Sequence, residues 1–472
     1  MSLAITPMPL SQIARWAQGR LDAAPDSDPL IDAVETDTRA FGAGASTLFV
    51  ALRGERFDGN DHVAAAAACG ARAALVSRPS DAGIAQIVVD DTQTALAMWA
   101  GAVQRARSGT VVGITGSNGK TGVKELTRTI LSRLGPTYAN PGNRNNEIGL
   151  PLSVLSAPED SRYVIYEMGA GKPGDIAWLT AVARPQVALV NNVAPAHLER
   201  MGSLFGIAET KAAIYEALPA DGTAIINADD AFAPYFAERA HGRRLLRFGI
   251  DNGADIAATA IRASDAGSTF VLVLPDAEAA VELPLAGRHS IRNALAAASI
   301  AWALGASAGV IANALSTAQP VAGRLVRHRM AGGGLLIDDS YNANPGSMDA
   351  AIDTLAAAAG QRWLVLGDMG ELGTDAAALH AEIGRRAHQA GIERLYTVGR
   401  LSAAAAQAFG ADAHHHDDQP ALINALRREV QARAAAGEGA SLRVLVKGSR
   451  SSAMERVVSA LLDLTEDTTD AA

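Results

Sequence analysis

The chain has 472 residues, a length that at roughly 150 residues per domain predicts about three domains, each able to bury a core. Apolar residues make up 49% of it, charged residues 19% and aromatic residues 4%, which excludes disordered and fibrous classes. Its single cysteine excludes an internal disulfide, a CxxC redox pair and a Cys-based zinc site, and a formal charge of -9 leaves no global basic field for nucleic acid or anionic lipid, so any polyanion must bind locally.

Residues 1–19 lack a basic segment followed by an apolar one, so no secretory signal is expected and the location is expected to be cytoplasmic; their second half reads as an amphipathic helix. Further along, short Val/Ile/Leu runs alternate with longer helical patterns. The runs are residues 73–77, 111–115, 163–168, 187–191, 223–227, 335–338, 363–366, 395–398 and 444–447. Continuous apolar strands need helices over both faces, so the pattern predicts an α/β fold of parallel sheets. Residues 247–285 differ. They read as short strands with turns at 251–253 and 265–267 and an alternating run over 269–274, an antiparallel addition to the middle domain. Boundaries are expected near 105–109 and 318–323. Residues 294–315 carry no charge and are long enough to cross a bilayer, but they are mostly Ala, Gly, Ser and Asn and are interrupted by Gly305 and Gly309, which predicts two packed helices and no membrane span.

The strongest chemical signal is Gly113-Ile114-Thr115-Gly116-Ser117-Asn118-Gly119-Lys120-Thr121 after an apolar strand and before a helical run. A strand, a glycine-rich loop and a helix present backbone N–H groups and a positive dipole end to phosphates, with Lys120 reaching the outer phosphates and Thr121 a metal ion. The loop departs from GxxxxGK[ST] in placing Ile114 where that pattern has glycine. A second pattern, Gly169-Ala170-Gly171-Lys172-Pro173-Gly174, formally matches GxGxxG, but no acidic residue follows at the required distance and Pro173 interrupts it, so a dinucleotide site is rejected. Glu167 ends the strand before it, and His197 follows the strand at 187–190; carboxyl ends of strands are where α/β sheets gather ligands, so both are candidates for a cation or phosphate contact. Lys211, on a helix further on, reads from spacing alone as a surface lysine. The stretches 338–345, 366–373 and 446–450 each start at a strand end and close in polar residues, which predicts one binding face. His414-His415-His416-Asp417-Asp418 reads as a solvated loop between helices.

In their order along the chain these motifs resemble the Mur ligases. TGSNGKT at 115–121 is the ATP loop that Mur ligases share with folylpolyglutamate synthases. NNEIGLP at 145–151, AHLERMGS at 196–203, DDSYNANPGSM at 338–348, LGDMGELG at 366–373, and VKGSR with MER at 446–456 resemble the branch that adds D-alanyl-D-alanine to UDP-N-acetylmuramoyl-tripeptide. The resemblance implies three domains: a UDP-substrate domain (1–106), a central ATP-binding P-loop domain (107–320) with a parallel sheet and a small antiparallel addition, and a C-terminal Rossmann-like ligase domain (321–472). It implies an ATP-dependent, ADP-forming amide ligase of cytoplasmic peptidoglycan precursor synthesis that works through an acyl phosphate with Mg2+, as a monomer.

Residue by residue, the resemblance assigns Gly116, Ser117, Asn118, Gly119, Lys120, Thr121, Asn293, Arg324 and Asp339 to ATP. It assigns Asp37, Thr38, Arg39, Asn145 and Asn146 to the muramoyl substrate, with residues 49–54, Asp58 and Gly59 matching the UDP domain's motifs. Thr121, Glu167, His197 and Lys211 are assigned to the metal, and Lys120, Glu167, His197 and Lys211 to catalysis. Lys211 matches a lysine that many Mur ligases carbamoylate, which turns an ammonium that would repel Mg2+ into an anionic oxygen donor; Ala213 stands where the family often has glutamate. The rival readings are a sister Mur ligase adding a diamino acid, a folylpolyglutamate-type ligase, from which residues 1–105 set the chain apart, and a P-loop ATPase without ligase activity.

Overall fold

The structure, a computed structural model, describes residues 2–22, 28–42, 45–264 and 267–465. Among these residues the strands form three sheets, one after another along the chain. The first contains β1 (Leu3–Pro9), β2 (Arg20–Asp22), β3 (Leu30–Glu35), β4 (Thr47–Val50), β5 (Ala73–Val76) and β6 (Ala85–Val88), in the order β1-β3-β4-β5-β6-β2. β3 to β6 run parallel and the two edge strands antiparallel. Its core is closed by the helix Thr92–Ala106, whose Trp99 is fully buried and bonds Met8 through its indole N–H. The expected N-terminal amphipathic helix is Leu10–Trp16, with Leu10, Ile13 and Ala14 inside.

The second sheet contains β7 (Thr110–Thr115), β8 (Thr137–Ala139), β9 (Tyr163–Glu167), β10 (Val187–Val190), β11 (Thr223–Asn227), β12 (Arg244–Gly249), β13 (Ile256–Ser264), β14 (Gly267–Val273) and β15 (Glu278–Leu283). Their order is β15-β14-β13-β12-β11-β10-β7-β9-β8. β8 to β13 and β7 pair in parallel, and only β13-β14 and β14-β15 are antiparallel. The antiparallel addition is therefore smaller than residues 247–285: Arg247 belongs to β12, a parallel strand, because its ladder partner is β11. Of the turn expected at 265–267, Asp265 and Ala266 lie outside the described residues. β7 sits between β9 and β10, so the chain leaves β7 at the point where strand order reverses, and a crevice opens at that end of the sheet.

The charge-free stretch is two helices, Arg288–Ala303 and Ala308–Leu315. Ala294, Ala296, Ala297, Ala298 and Ala301 are fully buried, so the first helix is apolar nearly all round over residues 294–301 because protein covers it there, and no described helix is long and apolar enough to cross a membrane.

The third sheet contains β16 (Val326–Arg329), β17 (Leu335–Asp339), β18 (Gln361–Gly367), β19 (Arg394–Val398), β20 (Ala413–His416) and β21 (Leu442–Lys447), in the order β16-β17-β21-β18-β19-β20, parallel apart from β16. This is the expected α/β fold with a Rossmann-like third unit. β20 corrects the reading of His414, His415 and His416 as a solvated loop. They form the parallel edge strand, where His414 stacks on Tyr396 and His415 bonds the Thr397 hydroxyl. Histidine is a weak strand signal, and pairing with β19 overrode it.

Candidate active site

One cleft, about 1710 Å³, lies across the carboxyl ends of the second and third sheets, and it is lined by residues from both and by Gln93 of the first unit. Ser117 to Thr121, Asn145, Asn146, Glu167, His197, Asn293, Arg324 and Asp339 all line it. Asp37, Thr38 and Arg39 do not. They form a short turn after β3 in which the Asp37 carboxylate caps the Arg39 N–H and holds its guanidinium at 2.7 Å, which keeps Asp37 at a pKa of about 2.

The loop after β7 is built to expose donors. Gly119 has φ +80, the left-handed region that favours glycine, and it starts the helix Lys120–Leu131 with no side chain capping the end. The Ser117 and Asn118 N–H groups bond Asn192, and the Asn118 carbonyl accepts from Asn191 and Asn192, so the loop is held from β10 while the helix end faces the cleft. Asn293 accepts from Asn191 at 3.0 Å and stands beside Gly119. A Cβ on Gly119 would come within 2.4 Å of Asn191 and 2.5 Å of Asn293. Gly119→Ala is therefore expected to weaken nucleotide binding by about tenfold or more through loop displacement, measured by calorimetric titration with ADP; wild-type affinity would count against the loop.

Lys120 bends back on its own loop, with Nζ donating to the carbonyls of Gly116 (2.8 Å) and Ser117 (3.2 Å). Burial pushes its amine below the ordinary lysine value, Glu167 opposes that, and Arg324 adds to it. Thr121 donates its hydroxyl to Glu167 Oε2 at 2.8 Å, and Asn145 donates its amide to Oε1 at 2.8 Å, so the Glu167 carboxylate joins the phosphate loop to residues 145–146. Glu167 is 3% exposed, which makes it a desolvated oxygen donor of the type a hard cation takes.

Lys211 is the clearest departure from what its spacing suggested. The helix Leu204–Glu216 buries it to 3% exposure, and among the described residues it has no hydrogen bond or ion pair. Burial pushes its pKa well below the usual value, and the Lys120 charge pushes it further down. A buried lysine is almost never left without a partner, and Lys211, like Gly116, does not itself line the cleft. His197 has φ +54 and starts the short helix Leu198–Met201; it meets Glu371 of the third unit at 2.5 Å. Burial lowers its pKa, and Glu371 opposes the shift.

From the third sheet come Asp339 and Lys447, at the ends of adjacent strands β17 and β21, paired at 2.6 Å; burial pushes the Asp339 carboxyl up and the Lys447 charge opposes it. Arg324 stacks over the Tyr341 ring at 4.4 Å. Asn344 caps the helix Pro345–Ala356 and donates to Asn118 at 2.8 Å, which joins the third unit directly to the phosphate loop. His289 also lines the cleft, and burial with the nearby Lys447 and Arg292 charges lowers its pKa to about 4. Its ring is expected to stay neutral down to about pH 4, which a histidine NMR titration of wild type against His289→Asn reads directly; an apparent pKa near 6.5 would refute that environment.

Residues 30–103 match the Mur ligase family catalytic domain, residues 114–301 the Mur ligase middle domain and residues 323–450 the Mur ligase glutamate ligase domain. The chain belongs to the Mur ligase family. It is 44% identical over 453 residues to the UDP-N-acetylmuramoyl-tripeptide--D-alanyl-D-alanine ligase of Escherichia coli strain K12, covering 96% of this chain and 98% of that one. A crystal structure of MurF from Acinetobacter baumannii superposes with a TM-score of 0.92 at 35% identity, covering 98% of this chain and all (100%) of that one. The MurF ligase from Thermotoga maritima in complex with ADP gives 0.81 at 29% identity over 92% of this chain and 98% of that one.

Within this Mur ligase, sequence reasoning missed several cleft residues. Lys124, one turn after Lys120, carried a signal in being a lysine on the apolar side of its helix. The pairings His197–Glu371, Asn118–Asn344 and Asp339–Lys447 had none, because each joins residues more than a hundred positions apart.

Proposed function

We propose that this chain adds D-alanyl-D-alanine to UDP-N-acetylmuramoyl-tripeptide, converting ATP to ADP and phosphate, in cytoplasmic peptidoglycan precursor synthesis. The observation that carries the reading is the joining of Glu167 to both Thr121 of the phosphate loop and Asn145, which sets the nucleotide end and the substrate end of the cleft on one carboxylate. Near-full-length likeness to D-alanyl-D-alanine ligases supports it.

A carboxylate is a poor electrophile, and amide formation from it is uphill in water. A terminal carboxylate oxygen of the tripeptide takes the γ-phosphoryl group and ADP leaves; the amine of the dipeptide then attacks the carbonyl carbon and phosphate leaves. Little covalent work falls to the protein, whose task is to position and to neutralise charge. The uncapped helix end with Gly116 to Thr121 holds the phosphates, and Lys120 leaves its own loop carbonyls to reach them. Asn293, Arg324 and Asp339 hold the nucleotide from the two sides of the cleft, and Asp37, Thr38 and Arg39 serve the UDP end, at the tip of β3.

Glu167 and Thr121 fit a Mg2+ ion, being a buried carboxylate and a half-buried hydroxyl already 2.8 Å apart, and bound Mg2+ would neutralise phosphate oxygens. His197 completes the set once it leaves Glu371, and Lys211 does so as a carbamate; among the described residues no three acidic, His or Cys side chains already converge on a metal position. The chain divides into domains 1–106, 107–320 and 321–472, each enclosing one sheet, and acts as a monomer.

The test is phosphate release with ATP and Mg2+, given UDP-MurNAc-tripeptide, D-Ala-D-Ala, both, or UDP-MurNAc-dipeptide with a diamino acid. Release is expected only with the first pair together, with the pentapeptide product seen by mass spectrometry. Release with the dipeptide pair would make it a sister ligase, and release indifferent to acceptors would leave an ATPase.

A further inference from the structure

Lys124 lies one turn after Lys120 on the helix Lys120–Leu131, its side chain is 1% exposed, and no step above uses it. An ammonium carried that deep must be matched by acceptors. Its Nζ donates to the backbone carbonyls of Asn140 (2.9 Å) and Gly142 (3.2 Å), and it stands 3.6 Å from the carboxylates of Glu167 and Glu125. Asn140 closes the network, since its side-chain oxygen accepts the Glu167 N–H at 2.8 Å and its amide donates to the Arg144 carbonyl at 2.9 Å. The other end of Glu167 already holds Asn145.

We propose that Lys124 is a positioning residue for the muramoyl-peptide substrate: it clasps residues 140–142 so that Asn145 and Asn146 face the cleft in register with Glu167. The inference rests on the proposed function, in which residues 145–146 lie at the substrate end. The clasp works through donors and through charge. The two carbonyls need N–H groups at a fixed point, and the buried Glu167 carboxylate needs a cation nearby when its site holds no metal. Lys120 cannot substitute, because its Nζ is bound to the loop at the opposite end of the same helix turn.

The experiment compares the full chain with Lys124→Met, which keeps the stem and loses donors and charge, and Lys124→Gln, which keeps an amide donor. Binding of ADP and of UDP-MurNAc-tripeptide is measured by calorimetry, alongside KM for each of ATP and the tripeptide. Lys124→Met is expected to weaken tripeptide binding and raise its KM by about tenfold or more, Lys124→Gln by less, with ADP affinity within about threefold in both. Equal losses for ADP and tripeptide, or wild-type tripeptide binding in both variants, would overturn the role, since a helix that merely loosened would affect both ligands. If Lys124→Met does not fold, the ratio of the two losses in Lys124→Gln decides. Wild-type chain that fails to bind the tripeptide would overturn the functional reading and this inference together, whereas wild-type ligation with unaltered variants overturns this inference alone.

Discussion

Lys120→Ala is expected to lower kcat for ligation by roughly a thousandfold or more, with the protein still folded. The side chain is half-buried against the phosphate loop and its amine already serves two loop carbonyls, so the variant removes the cation that the outer phosphates would draw away from them. Those carbonyls belong to Gly116 and Ser117, and Ser117 is held through its N–H by Asn192 and through its hydroxyl by Ala194 in the loop after β10, so the loop keeps its shape without the lysine. The measurement is pentapeptide formation by mass spectrometry, with circular dichroism to show the fold. Undiminished product from folded Lys120→Ala would refute the phosphate role, and a loss confined to KM for ATP would reassign the lysine to ground-state binding.

The second large effect is expected at Lys211. Burial and the Lys120 charge depress its pKa, so at neutral pH a larger share of its amine is unprotonated than for a surface lysine, and an unprotonated amine is the form that adds carbon dioxide. A carbamate there would carry a negative charge where the ammonium carries a positive one, and would offer oxygen donors to a hard cation. Lys211→Ala is expected to lose about a hundredfold or more in kcat, with acetate or formate restoring part of it by placing a carboxylate in the vacated space. Removal of dissolved carbon dioxide is expected to slow the wild type and leave Lys211→Ala unaffected. Full activity of Lys211→Ala without added carboxylate would rule out the carbamate.

Much of the site was legible because its residues lie at strand ends and in one glycine-rich loop. Gly116 to Thr121, Glu167 and His197 could be placed from the sequence, since an apolar run followed by polar and glycine residues marks the end of a parallel strand. Lys211 read differently from its surroundings: a lysine at helical spacing looks solvated, and only the packing of its helix against β10 and β7 shows that it is inside. Lys124 stands on the apolar side of its helix, which the sequence shows, but only the packing sets it against Asn140 and Glu167. The histidines of β20 misled for the opposite reason, because an edge strand tolerates polar side chains that the apolar signal does not register.

By itself the sequence determined the α/β class, the positions of nine apolar strands, the phosphate loop and, through its motifs, the family, because backbone periodicity and local turn chemistry depend on residues close together in the chain. Tertiary structure alone decided the pairings that make the cleft: Asn118 with Asn344, His197 with Glu371, Asp339 with Lys447, and the burial of Lys124 and Lys211. These depend on strand order, with β7 between β9 and β10 and β17 beside β21, and on how the third unit meets the second. Whether a lysine is solvated or buried, and what it faces there, is a property of that packing and not of its neighbours in the chain.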